Sequence, residues 1–354
     1  MNLFRKYLVM GLIVLFIGAS VLPNISGNST TYFKPMILGN WLYVGGSGEG
    51  NYTWIQDAVD NASPGDTIYV YSGIYEENLF IETNSLSLIG EDKEATIIIG
   101  NGNKHTILVE LTKDVSITGF SITTESEESV YGGIFISNSK NTLIQNNIIF
   151  ENGQGINCKD SISFNISNNK IFNNTKYKSQ FNTVGIQVVG GNGGVIRKNH
   201  IYENLGGILL QEVLSIIPMV MIECNNITNN NGTGIMCILS SGMMIQNNYI
   251  SNNQKGVTIM DCQNSFLVFS FNNIINNKLS LFLVTSSGFI FVSNNIKSDS
   301  DILIQTSFSF SRYCKFNYWD SGKWPRRKCQ PIFAPILFIP WFLKPVDIPQ
   351  CWPD

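Results

Sequence analysis

An asparagine returns every 22 to 30 residues along the middle of this chain, at Asn147, Asn169, Asn199, Asn225, Asn248, Asn272, Asn294 and Asn317. Three residues before each stands an apolar residue, from Ile144, Ile166 and Ile196 to Cys314. Two residues after each stands another, from Ile149 and Ile171 to Trp319. A second polar column follows five residues behind the first, at Asn152, Asn174, Asn204, Asn230, Asn253, Asn277 and Asp299. A third marker, a glycine or polar residue before an aliphatic one, runs from Gly133-Ile134 to Asp301-Ile302. Periods of this length mean a solenoid. The segments between turn residues are short and β-branched, too short for paired helices. The predicted fold is all-β, a single parallel β-helix in which each repeat is one coil.

Each coil adds one strand to each sheet, so equivalent residues stack roughly 4.8 Å apart. At that spacing an asparagine amide can donate to its equivalent on the next coil, forming an internal ladder like those of stacked cross-β structures. The asparagines are also expected to take the left-handed conformation at each corner, which they tolerate better than most residues. Inward-facing Ile and Val columns fill the interior between corners. The repeated asparagines are therefore scaffold, silent about any ligand.

Only 14% of the 354 residues are charged and the formal net charge is −3. No basic stripe interleaved with aromatics exists, which excludes nucleic acid as a partner. A surface of Asn, Ser and Thr suits a protein outside the cytoplasm that meets neutral or sugar-like partners. Arg5-Lys6, the apolar run Tyr7 to Ile17 and Gly18-Ala19-Ser20 read as a secretory signal, assigned to residues 1–27. The alternative is a short N-terminal membrane anchor, although the run falls below the ~20 residues of a good span. Residues 28–50 are assigned to a linker. Seven cysteines, an odd number, exclude a complete disulfide framework. Cys158 and Cys237 fall on inward positions, and Cys329 with Cys351 in the tail are the expected disulfide.

The β-helix is assigned to residues 51–320, opened by a capping helix over 53–62. Thr53-Trp54-Ile55-Gln56 has capping-box form, and Ile55, Ala58, Val59 and Ala62 share one helical face. Phe120 takes the corner asparagine's place in one variant coil. Residues 321–354 carry prolines at a density that forbids a membrane helix or an interior strand. They are expected to form an irregular cap, with Phe333, Ile336, Phe338 and Trp341 over the last coil; a surface for a partner or lipid is the alternative.

Ile55-Gln56-Asp57-Ala58-Val59, Pro64-Gly65-Asp66-Thr67-Ile68-Tyr69-Val70 and Gly73-Ile74-Tyr75-Glu76-Glu77-Asn78 resemble the opening of secreted right-handed parallel β-helix proteins. The resemblance is to the pectin-lyase-like superfamily, in particular the NosD-like, carbohydrate-binding-and-sugar-hydrolysis repeat proteins abundant in archaea. It extends over about residues 41–320 and implies the fold, but hardly a function, since this architecture hosts lyases, hydrolases, esterases, epimerases and non-enzymes.

Coil alignment places Leu143, Asn165, Val195, Met221, Met244, Val268 and Ile290 in one outward column, and Gln145, Ser167, Arg197, Glu223, Gln246, Ser270 and Val292 in its neighbour. Arg197 and Glu223 should stand side by side, as a surface ion pair or as a polar spot where a polysaccharide lies. The resemblance implies that enzymes of this kind display clustered carboxylates. Here Asp160, Glu212 and Asp261 share a column on alternate coils, and general acid–base chemistry needs closer pairs. Met219, Met221, Met236, Met243, Met244 and Met260 gather near Cys224 and Cys262; soft ligands suit Cu(I), but wall packing explains them more simply. No cofactor is expected.

Insertions at residues 175–182 and about 212–218 break the period, and function on solenoids gathers where insertions cluster. The expected substrate-binding residues lie between them: Lys159, Asp160, Arg197, Glu212 and Glu223, with Lys176 and Lys178 nearby. The apolar stripe Val195–Ile290 is expected either to be covered by Leu214–Pro218 and the C-terminal segment or to dock an envelope partner. The reading is a non-catalytic extracytoplasmic protein, secreted or at the cell surface, that binds polysaccharide or another cell-envelope component. The alternatives are a polysaccharide lyase or hydrolase and a NosD-like copper-associated protein.

Overall fold

The computed structural model describes residues 39–126, 129–176, 183–215, 219–262 and 265–298, with the strands Ile304–Ser307, Phe310–Lys315 and Tyr318–Asp320. The signal or anchor over 1–27, Asp299, Asn317, the tail over 321–354 and the pair Cys329 and Cys351 lie outside the described residues. The described chain winds as a right-handed parallel β-helix of about ten coils. Each coil visits three sheets in turn, here called A, B and C. Among the described residues these hold twelve, eleven and ten strands. Every neighbouring pair is parallel, and the register steps by one coil: Val195 lies beside Met221, Met221 beside Met244 and Met244 beside Val268. Sheet A opens with the strand Trp41–Val44, inside the segment expected to be linker, paired with Thr67–Val70.

Alternation drives the winding. In sheet A the inward column Ile117, Ile144, Ile166, Ile196, Ile222, Ile245, Phe269 and Phe291 belongs to one continuous buried core. Burying each such side chain contributes roughly 1.5–3 kcal/mol. Cys158 and Cys237 sit in this core as free thiols, as their inward positions predict.

Both asparagine ladders form as expected. In the first, at the A-to-B corner, each backbone N–H and each side-chain Nδ2 donate to the Oδ1 of the next asparagine. Asn199 thus binds Asn225 at 3.1 and 3.0 Å, and Asn225 binds Asn248 at 2.9 and 2.9 Å. Nδ2 also donates backwards to a backbone carbonyl, Asn225 to Ile196 at 2.8 Å. The second ladder, Asn152 to Asn277, repeats this at the B-to-C corner. Phe120 replaces the amide at the front of the first ladder, and its N–H donates to Asn147 Oδ1 at 3.0 Å.

The left-handed residues are not the ladder asparagines. They are the residues immediately before them: Asn146, Asn168, Lys198, Cys224, Asn247, Phe271 and Ser293 on the first corner, with φ between 53° and 57°. One left-handed residue turns the chain so that the next side chain points inward, which is what the ladder requires. The glycines of the third marker serve close packing. A Cβ on Gly234 would stand 2.7 Å from Ile250 Cγ2 and 3.1 Å from Asn253 Nδ2.

The front helix α1, Ile55–Asn61, buries Ile55, Ala58 and Val59 in the core. The expected capping box is absent. Trp54 is the N-cap without a side-chain bond, and the Glu77 carboxylate from the same coil accepts from Ile55 N–H at 2.8 Å and Gln56 N–H at 3.0 Å. A charged acceptor at a helix start opposes the helix dipole better than a threonine hydroxyl does.

Candidate functional site

The C-to-A corner carries a third internal ladder, made of hydroxyls. Thr112 N–H donates to Ser139 Oγ at 3.2 Å, Ser139 N–H to Ser161 Oγ at 3.2 Å, and Ser240 N–H to Cys262 Sγ at 3.4 Å. Cys262 N–H donates to Ser286 Oγ at 3.1 Å. Gly191 and Val213 take the same position in the coils between, Val213 inside the insertion that starts at Glu212. The serines are spaced like the asparagines, a signal that was present in the sequence. The left-handed position before this ladder holds Asn138, Asp160, Gly190, Glu212, Leu239 and Asp261.

That column fixes where the expected site residues lie. Asp160 and Glu212 stand on alternate coils, with Gly190 between them. Lys159 ends its strand one residue earlier and pairs with Val189, itself the partner of Gln211. The Gln211 amide donates to Glu212 Oε1 at 3.2 Å. Arg197 and Glu223 are register partners on adjacent coils. They lie at the opposite end of sheet A, a full strand away from Asp160 and Glu212. Glu223 Oε2 accepts from the Gln246 amide on the following coil at 3.0 Å. The five residues therefore divide between two corners. The insertions occupy the B-to-C and C-to-A corners, so neither adjoins Arg197 and Glu223. Lys176, at the first, donates from Nζ to Thr124 O at 2.7 Å. Lys178 lies outside the described residues.

The apolar stripe faces outward as its register requires. Val195, Met221, Met244 and Val268 are half-buried between neighbours one coil away, and Ile290 is buried at 7% exposure. Leu214 remains 68% exposed and bridges to Ser241.

Sequence reasoning missed a groove at the B-to-C corner. It is shallow and open and runs over three coils, lined by Asn229, Asn231, Asn252, Gln254, Asn276 and Lys278 around the ladder residues Asn230 and Asn253. Asn229, Asn252 and Asn276 are the left-handed residues before the second ladder, so their side chains turn out as the ladder turns in. Amides that both donate and accept, repeated once per coil, can hydrogen-bond a ligand with regularly spaced hydroxyls. Leading up to this groove, Phe150, Phe172 and Tyr202 stack along sheet B at 5.5 and 5.0 Å, with Lys170 Nζ 5.0 Å from the Phe172 ring.

The two histidines lie apart. His105 stacks on Phe135 at 4.4 Å, and its Nδ1 accepts from Gly132 N–H at 2.9 Å. Burial pushes its pKa down to about 4. His200 rests on Tyr202, its pKa lowered by burial and then by Lys170. Among the described residues no three His, Cys, Asp or Glu side chains gather closely enough to hold a metal ion.

Residues 173–312 match the model of the family described as right handed beta helix region, and residues 59–212 match that of the periplasmic copper-binding protein NosD. Similar solved structures include the A-module of mannuronan C-5 epimerase AlgE4 of Azotobacter vinelandii. It is 15% identical with a TM-score of 0.54, covering 75% of this chain and 90% of that one. The alginate lyase of Paenibacillus sp. str. FPU-7 is 14% identical with a TM-score of 0.58, covering 76% and 99%. Pectate lyase Pel9A is 16% identical with a TM-score of 0.54, covering 80% of each chain. These identities establish the pectin-lyase-like fold alone. A probable pectinesterase/pectinesterase inhibitor of Arabidopsis thaliana is 37% identical over 78 residues, and the match spans 13% of that protein's length.

Segment 59–212 does not fit copper. It contains no methionine, one cysteine and the two separated histidines. Cys158 is enclosed in the core, where burial raises its thiol pKa and disfavours the thiolate. His105 already spends Nδ1 on Gly132. Cys262 belongs to the hydroxyl ladder, and Cys224 is disulfide-bonded.

Proposed function

We propose that this right-handed β-helix is a non-catalytic carbohydrate-binding protein that acts outside the cytoplasm. The observation that carries the reading is the amide-lined groove at the B-to-C corner, with Asn229, Asn231, Asn252 and Gln254 exposed over successive coils. A sugar chain lying along the solenoid axis meets paired amides, Asn229 with Asn231 and then Asn252 with Gln254, on adjacent coils roughly 4.8 Å apart. Arg197 and Glu223 supply polar contacts on sheet A, and Lys159, Asp160 and Glu212 do so on its other corner. Proteins of the same fold named as lyases of pectate and alginate, and the periplasmic description of NosD, support both the ligand class and the compartment. The dispersed carboxylates support binding over turnover, since acid–base cleavage of a glycosidic bond uses paired groups ~5–9.5 Å apart.

Calorimetric titration of the full chain with a panel of neutral and acidic oligosaccharides tests this. The double variant Asn231→Ala, Gln254→Ala, which touches neither ladder nor left-handed positions, should weaken binding about tenfold, or ~1.4 kcal/mol. Unchanged affinity, or new reducing or unsaturated ends released from any glycan, contradicts the reading.

A further inference from the structure

The first two strands of sheet A present an aromatic surface that the core does not need. On the strand Trp41–Val44, Val44 faces inward and is fully buried, as are Ile68 and Val70 beside it. The outward positions hold Trp41, Tyr43, Tyr69 and then Tyr71. Trp41 and Tyr43 lie 6.3 Å apart at 27°, Tyr43 and Tyr71 6.3 Å apart at 27°, and Tyr69 and Tyr71 5.2 Å apart edge to face. Trp41 is 52% exposed and Tyr43 40%. Four rings in mutual contact hold one another in place, so they offer broad contact area with little side-chain freedom left to lose.

The charge around this surface is one-sided. From Gly39 to Asp92 the sequence contains nine acids, Glu49, Asp57, Asp60, Asp66, Glu76, Glu77, Glu82, Glu91 and Asp92, and no lysine or arginine. Glu91 is fixed beside the rings by accepting from Ser72 N–H at 2.9 Å. Burial, and then the Glu91 charge, raise the pKa of the Tyr69 phenol. A polyanion approaching these rings meets the Glu91 carboxylate, while the next cation along the chain, Lys93, donates to Asn146 Oδ1 at 2.9 Å. Anionic lipid headgroups are disfavoured for the same reason, since surface association needs basic residues.

We infer that Trp41, Tyr43, Tyr69 and Tyr71 form a stacking platform for neutral glycan chains, one that rejects uronate polymers. This rests on the carbohydrate-binding reading and names its ligand class. The apolar faces of neutral sugar rings pack on the aromatic rings, and the phenol hydroxyls meet the sugar hydroxyls at the edges. Because no ion pair is involved, binding should be nearly independent of salt.

The experiment titrates the full chain with cellohexaose, mannohexaose and xylohexaose, with hexagalacturonate and a hexameric alginate fragment, and with phosphatidylcholine and phosphatidylglycerol vesicles. Wild type should bind at least one neutral hexasaccharide with the same affinity at low and high salt, and neither acidic one. The double variant Trp41→Ala, Tyr43→Ala should lose at least tenfold in that affinity. The milder Trp41→Phe, Tyr43→Phe should keep most of it, and unfolding midpoints report whether either variant has lost its fold. Binding that survives ring removal but fails in the Asn231→Ala, Gln254→Ala variant overturns the platform and leaves the carbohydrate reading standing. Preferred binding of the acidic oligomers overturns the platform's selectivity. Ring-dependent vesicle binding without glycan binding overturns both, as does binding to no glycan at all.

Discussion

Asn225 in the middle of the solenoid and Glu77 near its front solve the same problem in different ways. Each supplies acceptors to backbone N–H groups that the strands leave unserved. Asn225 does so as one member of a column, receiving from Asn199 and donating to Asn248 and Ile196 inside a closed interior. Glu77 does so once, for the start of α1. Asp66 does likewise, accepting from Asn40 N–H at 2.7 Å and Ser63 N–H at 2.8 Å. The middle coils repeat a single interaction and owe their regularity to it. The front coils use a different side chain at each position, and their outer face is free to carry the aromatic cluster.

Breaking the ladder should have the largest effect. Asn225→Leu leaves the Asn199 N–H without its acceptor and takes one partner each from Asn199 Nδ2, the Ile196 carbonyl and Asn248 Oδ1, all away from water. Denaturant unfolding should report a loss of about 3 kcal/mol. A loss below half of that would mean the interior admits water and the ladder is not a closed unit.

The second effect is pH-dependent. Unfolded His105 titrates near 6.5, whereas burial holds the folded ring's pKa down to about 4. Between these values the unfolded chain binds the proton and the folded chain does not. Stability should therefore fall as pH drops from 6.5 toward 4, by about 2 kcal/mol, and level off below. In His105→Gln this part of the slope should vanish; an unchanged profile would locate the titration elsewhere.

Glu77→Ala should cost only about 1 kcal/mol, because the freed N–H groups at the start of α1 can reach solvent. A larger loss than that of Asn225→Leu would invert the comparison between front and middle. The smallest expected change is a gain. Phe271 is exposed and holds a φ of 55°. Phe271→Asn should raise stability by about 1 kcal/mol, seen as a higher unfolding midpoint.

What the sequence made legible follows the same division. The register of all three sheets, the two amide ladders and the outward column through Arg197 and Glu223 were readable because repetition states each of them many times. The left-handed residue was not, since Lys198, Cys224, Phe271 and Ser293 share a backbone conformation and no side-chain chemistry. The hydroxyl ladder was obscured by Gly191, Val213 and Cys262 in its column. The capping box at Thr53 failed because Glu77, 21 residues after Gln56, reaches the same N–H groups with a full charge. The expected site was split because Arg197 and Glu223 end strands of sheet A while Lys159, Asp160 and Glu212 precede that sheet, a separation of one strand length that the order along the chain does not display. The groove over Asn229 to Lys278 was hidden for the opposite reason: its lining looks like scaffold, and only the alternation between inward and outward amides separates the two.

Hydrogen–deuterium exchange of the full chain, with and without a saturating neutral hexasaccharide, tests the central claim most directly. The account predicts added protection at Trp41–Ser72 and at Asn229–Lys278, with the ladder amides between Asn147 and Asn225 unchanged. Protection confined to the stripe from Val195 to Ile290, or no added protection anywhere, would contradict it.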